Sequence, residues 1–302
     1  MDGILNINKP WGKTSFSIVA MVRRLTGERR VGHAGTLDPA ATGVLPVCLG
    51  QATRVVEFLV DATKTYRAEV ELGIATDTYD ASGRVTQRSD ASGISREQLD
   101  VALQSFCGLI QQTPPMYSAV KHRGKPLYKL ARYGIEVRRR SRPARIHNIE
   151  LTDWQPPVAT IEVVCGKGTY IRTLAHDLGH VLGCGGSLKS LVRLRCGIFT
   201  LEEAVSPPEL EEAFRCGYWQ HFIHPIDCVL ADWRAVIVSD ERVQEIRNGN
   251  AVFLENGNGD SSITAGPSLE GRCRVYTPDG CLLGVLRFNS ESGQWHPEKV
   301  FL

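Results

Sequence analysis

The 302-residue sequence lacks the features that would place it in several large protein classes. No stretch approaches the roughly 18–20 consecutive apolar residues that a membrane-spanning helix needs. Its nine cysteines, at 48, 107, 165, 184, 196, 216, 228, 273 and 281, are odd in number and never closer than eight residues. No Cys-x-x-Cys occurs, which excludes paired zinc knuckles and redox dithiols. Several cysteines sit in apolar runs such as Val163-Val164-Cys165 and read as reduced, packed thiols. The opening residues, Met1 to Ser15, carry no basic region followed by an apolar run, so a soluble cytoplasmic protein is expected. With 42% hydrophobic, 23% charged and 7% aromatic residues, the composition rules out collagen-like, low-complexity and wholly disordered chains. One large domain, or a large and a small one, can bury a core at this length.

Three partial motifs also fall short. Gly12-Lys13-Thr14-Ser15 ends like a phosphate-binding loop, but Ile7 stands where that loop needs its first glycine. His176 and His180 have the spacing of two metal ligands on a helix. Asp177 replaces the glutamate of the metalloprotease pattern, no third ligand follows, and both histidines read as solvent-facing. Asp77 to Gly83 suggests a calcium loop, but Arg88 occupies the closing glutamate's place, leaving a turn.

Charge is almost balanced overall at +2, yet unevenly placed. Lys121 to Arg145 holds ten lysines and arginines against Glu136 alone, a local +9 that leaves the other 277 residues at −7. Tyr117, Tyr128 and Tyr133 lie in and beside this block, and Thr113-Pro114-Pro115 and Arg142-Pro143 stiffen it as a long loop. Cations with interleaved aromatic faces suit a polyanion with unpaired bases. The competing reading is an ordinary solvated charge run.

Hydrophobic periodicity predicts a strand over Gly3 to Asn8 and a helix from the Thr14 cap to about Leu25, stopped by Gly27. A long functional loop and a buried strand around Val44 to Leu49 follow, then a helical segment over Gln51 to Ala62. Tyr66, Ala68, Val70 and Leu72 alternate with charged residues as one half-buried strand with Tyr66 inward. A capping box at Ser95 to Gln98 opens another helix, and strands are predicted near 146–152, 159–165 and 188–196. Ile171, Leu174, Ala175, Leu178, Val181 and Leu182 mark one helix's core face, and Ser206-Pro207-Pro208-Glu209 starts a short one. The irregular alternation favours an α+β fold with a mixed sheet, residues 1–230, carrying the basic insertion at about 108–146. Beyond, residues 231–302 predict a small β-barrel-like domain with strands at 235–238, 250–254, 272–276 and 282–288, a helix near 240–247 and a flexible loop over 255–269.

The chemistry concentrates in Gly32-His33-Ala34-Gly35-Thr36-Leu37-Asp38-Pro39. Proline holds Asp38 extended, and the glycines permit close approach of a ligand. Alone, Asp-Pro in such a loop is more often a turn former than a catalyst. Its company decides otherwise. Lys9-Pro10-x-Gly12-x-Thr14-Ser15, Thr65-Tyr66-Arg67, Thr76-Asp77-Thr78, Pro114-Pro115-Met116-Tyr117-Ser118-Ala119-Val120-Lys121 and Gly168-Thr169-Tyr170-Ile171-Arg172-Thr173 follow in order. Over most of residues 3–205 the chain resembles the bacterial tRNA pseudouridine-55 synthases, the TruB family. Arg54 stands where lysine is usual, a charge-preserving departure.

The resemblance implies isomerisation of uridine to pseudouridine in the tRNA T-loop, with no cofactor and no metal. It implies Asp38 as the catalytic carboxylate and Arg172 as its partner, holding its pKa low. It further implies Tyr66 stacked on the base, Tyr170 and Leu191 lining the uracil pocket, and His33 stabilising the flipped loop. Without it, Tyr66, Tyr170 and Leu191 would pass as packing, Arg172 as a surface ion pair, and His33 as uninformative. The basic block would grip the T-stem, and the C-terminal part resembles an RNA-binding PUA domain. No membrane and no guide RNA are expected, and nothing demands more than a monomer. A non-catalytic RNA-folding protein and a guide-dependent H/ACA-type synthase are the rival readings.

Overall fold

The computed structural model describes residues 1–254, 263–264 and 271–301. A ten-stranded mixed sheet forms its frame. Its main path runs Ile223–His224, Gly3–Lys9, Ala41–Leu49, Gly186–Cys196, Lys64–Leu72, Val158–Cys165, Arg142–Gln155 and Gly108–Gln112. The short strands Val31–His33 and Phe199–Thr200 pair off it. Among the described residues no helix is long and apolar enough to cross a membrane.

Local chemistry sets the helix ends as the sequence predicts. Thr14 caps the helix Ser15–Thr26, accepting from the Ser17 amide, and Gly27 ends it in the left-handed region. The predicted capping box forms at Ser95 for Arg96–Gln104, and Ser206, expected only to start a short helix, makes a second one with Glu209 for Pro207–Cys216. The strand Lys64–Leu72 buries Ala68, Val70 and Leu72 and leaves its odd-numbered positions in contact with water.

One contact fixes the height of the helix Ile171–Val181 over the sheet. A Cβ added at Gly179 would lie 2.1 Å from the Gly186 amide, so helix and strand touch backbone to backbone. The apolar face is Ile171, Leu174, Ala175 and Leu178; Val181, predicted with them, is 57% exposed at the helix end.

The C-terminal sheet orders Ile263–Thr264, Arg234–Ile237, Arg272–Tyr276, Leu282–Asn289 and Gln294–Val300, with the helix Asp240–Arg247 against it. Val285 and Phe301 share an apolar cluster with Ile4, Cys48 and Leu59, so this sheet is welded to the larger one. Lys299 pairs with Glu57 at 2.6 Å across the same seam.

Several expectations need correction. The strand after the Gly-rich loop begins at Ala41, and Val31–His33 is itself a strand. The predicted strand 250–254 reduces to a single bridge, Val252 to Trp295. Its place at the edge is taken by Gln294–Val300, where Pro297 is tolerated at a register shift. The basic block holds a tight strand pair, Lys121–His122 with Lys125–Pro126, and the one-turn helix Leu127–Arg132. Most of the loop predicted over 255–269 lies outside the described residues.

Candidate active site

Asp38 is presented on the short turn between Val31–His33 and Ala41–Leu49, and that turn is braced from below. The Ser15 hydroxyl donates to the Leu37 carbonyl at 3.1 Å and accepts from the Leu37 amide at 2.9 Å. The buried Lys9 ammonium donates to the carbonyls of Pro10, Lys13 and Pro39, and the Gly12 amide also donates to Pro39. The motif Lys9-Pro10-x-Gly12-x-Thr14-Ser15 thus works as a cradle for Leu37-Asp38-Pro39.

Arg172, in the first turn of the helix Ile171–Val181 and 5% exposed, gathers three segments. Its Nε meets Asp38 Oδ2 at 2.9 Å, one terminal nitrogen lies 3.6 Å from Asp80 Oδ2, and the other donates to the Tyr117 carbonyl at 2.8 Å. Asp80 Oδ1 accepts from the Thr78 hydroxyl and the Ser82 amide, so this carboxylate is fixed before Arg172 reaches it. The turn over residues 77–83 therefore belongs to the site.

The expected lowering of the Asp38 pKa does not hold. Burial pushes the Asp38 carboxyl above its ordinary value, and the neighbouring Asp80 adds to that; Arg172 and Lys9 pull back without reversing it.

Sheet register supplies the rest. Gly186–Cys196 runs parallel to Ala41–Leu49 and antiparallel to Lys64–Leu72, placing Arg193 opposite both Gly43 and Tyr66. Gly43 is obligatory, with φ +100° and an added Cβ 2.2 Å from the Arg193 carbonyl. The Arg193 side chain is 1% exposed, and its Nε and a terminal nitrogen donate to the carbonyls of Val44 (2.6 Å) and Gly35 (3.2 Å).

Asp38, Tyr66, Tyr170, Arg172 and Leu191 line one cleft of about 260 Å³, together with Lys64 and Arg193. That falls below the roughly 300–1,000 Å³ of pockets for drug-sized ligands and suits one nucleobase. Burial raises the pKa of both Tyr66 and Tyr170; the charge of Arg193 opposes it at Tyr66. Buried Gln112 clamps Tyr170 through both backbone groups, accepting from its amide at 2.9 Å and donating to its carbonyl at 3.2 Å.

His33 is the exception. It lies on the strand Val31–His33 outside this lining, half-buried, with Nδ1 lacking a protein partner. Burial and the Arg193 charge depress its pKa. His176, read as solvent-facing, instead stacks on Tyr79 with ring centroids 4.0 Å apart.

Sequence reasoning missed Lys9's bracing role, Asp80, Gln112 and Arg193. Lys9 and Asp80 stand inside motifs that the sequence singles out, and the signal for them was there. Arg193, between Val192 and Leu194, carries no local signal that separates a buried cation from a surface one.

The sheet, the carboxylate–guanidinium pair and the base-sized aromatic cleft together define an enzyme of nucleobase chemistry. A family model described as the TruB family pseudouridylate synthase N-terminal domain matches residues 23–171, and the tRNA pseudouridylate synthase B C-terminal domain matches 172–231. The chain is 45% identical over 302 residues to a tRNA pseudouridine synthase B of Dehalococcoides mccartyi, covering 100% of this chain and 97% of the relative. It is 47% identical over 254 residues to that of Symbiobacterium thermophilum, covering 83% of each. Among solved structures, an H/ACA RNP bound to a substrate RNA containing 2′-deoxyuridine superposes with a TM-score of 0.75 at 25% identity, over 99% of this chain and 85% of that one. The chain belongs to the TruB family of pseudouridylate synthases.

Proposed function

We propose that the chain isomerises uridine to pseudouridine at position 55, in the T-loop of tRNA, with Asp38 as the essential carboxylate. The observation that carries this reading is the 2.9 Å Arg172–Asp38 pair in the lining of a cleft sized for one base. The N1–C1′ bond breaks, the uracil turns, and C5 bonds to C1′. Carboxylate attack at C1′ and removal of a ribose proton both require Asp38 ionised. The C5 proton then leaves to solvent while N1 takes one up, so the reaction balances with no cofactor.

Tyr66 stacks on the uracil, and its hydroxyl takes part in the final C5 deprotonation, where the Arg193 charge eases loss of its own proton; Tyr170 and Leu191 close the pocket, and His33 steadies the loop the base has left. Residues 1–230 form the catalytic domain and 231–302 a PUA-like RNA-binding domain. The insertion at about 108–146 holds the T-stem loop through phosphate contacts that set affinity and leave sequence choice to the cleft. A stand-alone, monomeric, cytoplasmic enzyme fits a chain that carries its own basic insertion.

Tritium release from tRNA labelled with [5-³H]uridine tests the reaction. Release without guide RNA supports the stand-alone reading; release only with one would favour the H/ACA-like alternative that the structural likeness raises.

Two further outcomes follow from the geometry. Removing the charge of Asp80 eases ionisation of Asp38, so Asp80→Asn moves the acid limb of the kcat/KM profile to lower pH. Movement to higher pH would contradict the assigned coupling. Neutralising Lys121, Arg123 and Lys125 together lowers the slope of log K against log salt by about 0.7–0.9 for each phosphate no longer neutralised. An unchanged slope in filter binding would take these residues out of the interface.

A further inference from the structure

The residue immediately before Asp80 has an unusual backbone. Tyr79 has φ +64°, in the left-handed region that a residue with a Cβ seldom enters. Two elements hold it there. The strand Gly186–Cys196 takes the backbone of the turn: the Leu188 amide donates to the Tyr79 carbonyl at 3.0 Å, and the Ala81 amide donates to the Leu188 carbonyl at 2.9 Å. The helix Ile171–Val181 takes the side chain, because the Tyr79 ring lies on His176 with centroids 4.0 Å apart and planes inclined by 15°. Among the described residues the buried His176 Nδ1 has no hydrogen-bond partner, so the imidazole is engaged here through its face.

One helix therefore grips this turn at two points. Arg172 and His176 stand at i and i+4, on the same face. Arg172 reaches the Thr78 carbonyl at 3.4 Å and the Asp80 carboxylate at 3.6 Å, the neighbours of Tyr79 on either side, while His176 takes the ring between them. We propose that Tyr79 and His176 are positioning residues for the isomerisation: their stack sets the angle at which the turn presents Asp80 to Arg172, and through Arg172 the placement of Asp38. The inference rests on the tRNA reading above and deepens it. Asp38 is faced by Arg172 and Lys9, which favour its charge, and by Asp80, which opposes it. Asp80 is faced by Arg172 and by the hydroxyls of Thr78 and Ser82. His176 is faced by Tyr79 and by the charge of His180; burial and that charge depress its pKa, so the stack joins two neutral rings at neutral pH.

The test follows tritium release across pH with the full chain and an unmodified T-stem-loop transcript. Tyr79→Gly removes the ring and supplies the residue that adopts the left-handed conformation without strain, so the turn persists but loses its hold on the helix. The kcat falls by about 10- to 100-fold, while the KM for RNA stays within about twofold of the parent. As Asp80 leaves its place beside Asp38, the acid limb of the kcat/KM profile moves to lower pH, the direction expected of Asp80→Asn. Added to Asp80→Asn, Tyr79→Gly moves the limb no further, since both act through one carboxylate. Tyr79→Phe keeps the stack and restores kcat and the profile. His176→Phe restores them too, and phenylalanine has no proton to lose. Should Tyr79→Gly fail to fold, His176→Ala removes the same stack from the helix side, where alanine suits the backbone, and gives the same pattern.

An unchanged kcat and acid limb in the variants without the stack would overturn the positioning role. So would a lower kcat with an unmoved limb, which is what a loosened fold alone produces. A limb displaced equally in His176→Phe would assign the effect to the histidine charge and overturn the stack. Full additivity with Asp80→Asn would show that Asp80 is not the route. A parent that releases no tritium from the transcript defeats the tRNA reading itself, and the positioning role falls with it.

Discussion

Asp38→Asn leaves tRNA bound within a few-fold of the parent affinity while lowering single-turnover pseudouridine formation by roughly 10³-fold or more. Asparagine keeps the size of the side chain and an oxygen for Arg172, but it can neither attack C1′ nor take a proton. The fold has no need of the charge. The carboxyl's pKa is raised by burial, so the folded state holds the proton more tightly than the unfolded chain does. Above the ordinary carboxylate range, the ionised Asp38 therefore costs stability. The neutral amide removes that cost but leaves the buried Arg172 guanidinium with Asp80 as its carboxylate partner, so the two effects oppose each other and the thermal midpoint is expected to move by only about a few degrees. Tritium release, filter binding and a melting curve on one preparation check all three. Residual release within tenfold of the parent would remove Asp38 from the chemistry.

Arg172→Met has the largest effect on the fold, because this guanidinium serves Asp38, Asp80 and the carbonyls of Thr78 and Tyr117 at once. Methionine fills the space and leaves four acceptors without their donor. Breaking a buried pair costs about 3–5 kcal/mol. The Asp38 side chain keeps 40% of its exposure, so the lower end applies, about 3 kcal/mol and a fall of roughly 5 °C in Tm for a chain of this length. Activity falls too, and the acid limb moves up in pH as Asp38 loses the charge that opposed its protonation. Lysine does not rescue the variant, since a single ammonium cannot span both carboxylates and the Tyr117 carbonyl. Calorimetry and a pH–rate profile decide the matter, and an unchanged melting temperature would contradict the central role given to Arg172.

Much of the fold was legible because short-range rules governed it. Thr14, Ser95 and Ser206 announce their helices through hydroxyls that satisfy amides within three residues. The alternation from Tyr66 to Leu72 announces a strand with one wet face. The edge strand Gln294–Val300 announces nothing, since it has no alternation and contains Pro297. For the site, the resemblance placed Asp38, Tyr66, Tyr170, Arg172 and Leu191 on one cleft, whereas local pattern alone left each with a bland reading. Asp80 reads as part of a turn, correctly in local terms, because its tie joins it to Arg172, 92 residues further along the chain (172 − 80). Arg193 was invisible for the same reason: only sheet register puts it behind Tyr66, where its charge bears on the phenol. The sign of the Asp38 shift was misjudged because a paired arginine can be read from a sequence and the depth of the cleft cannot.

The backbone contact between Gly179 and Gly186 has a mechanical consequence. With no side chain between them, the helix bearing Arg172 and the strand bearing Leu191 and Arg193 cannot slide or tilt independently, so one wall of the cleft behaves as an anvil. The facing wall at Ser118 and Ala119 belongs to the segment tethered by the Tyr117 carbonyl, the Thr113–Ser141 hydroxyl pair and the Arg139 bond to Pro114. Such ties can be broken and remade one at a time. Any give in the cleft therefore resides on the basic side, and the anvil keeps Arg172, Leu191 and Arg193 in register with one another.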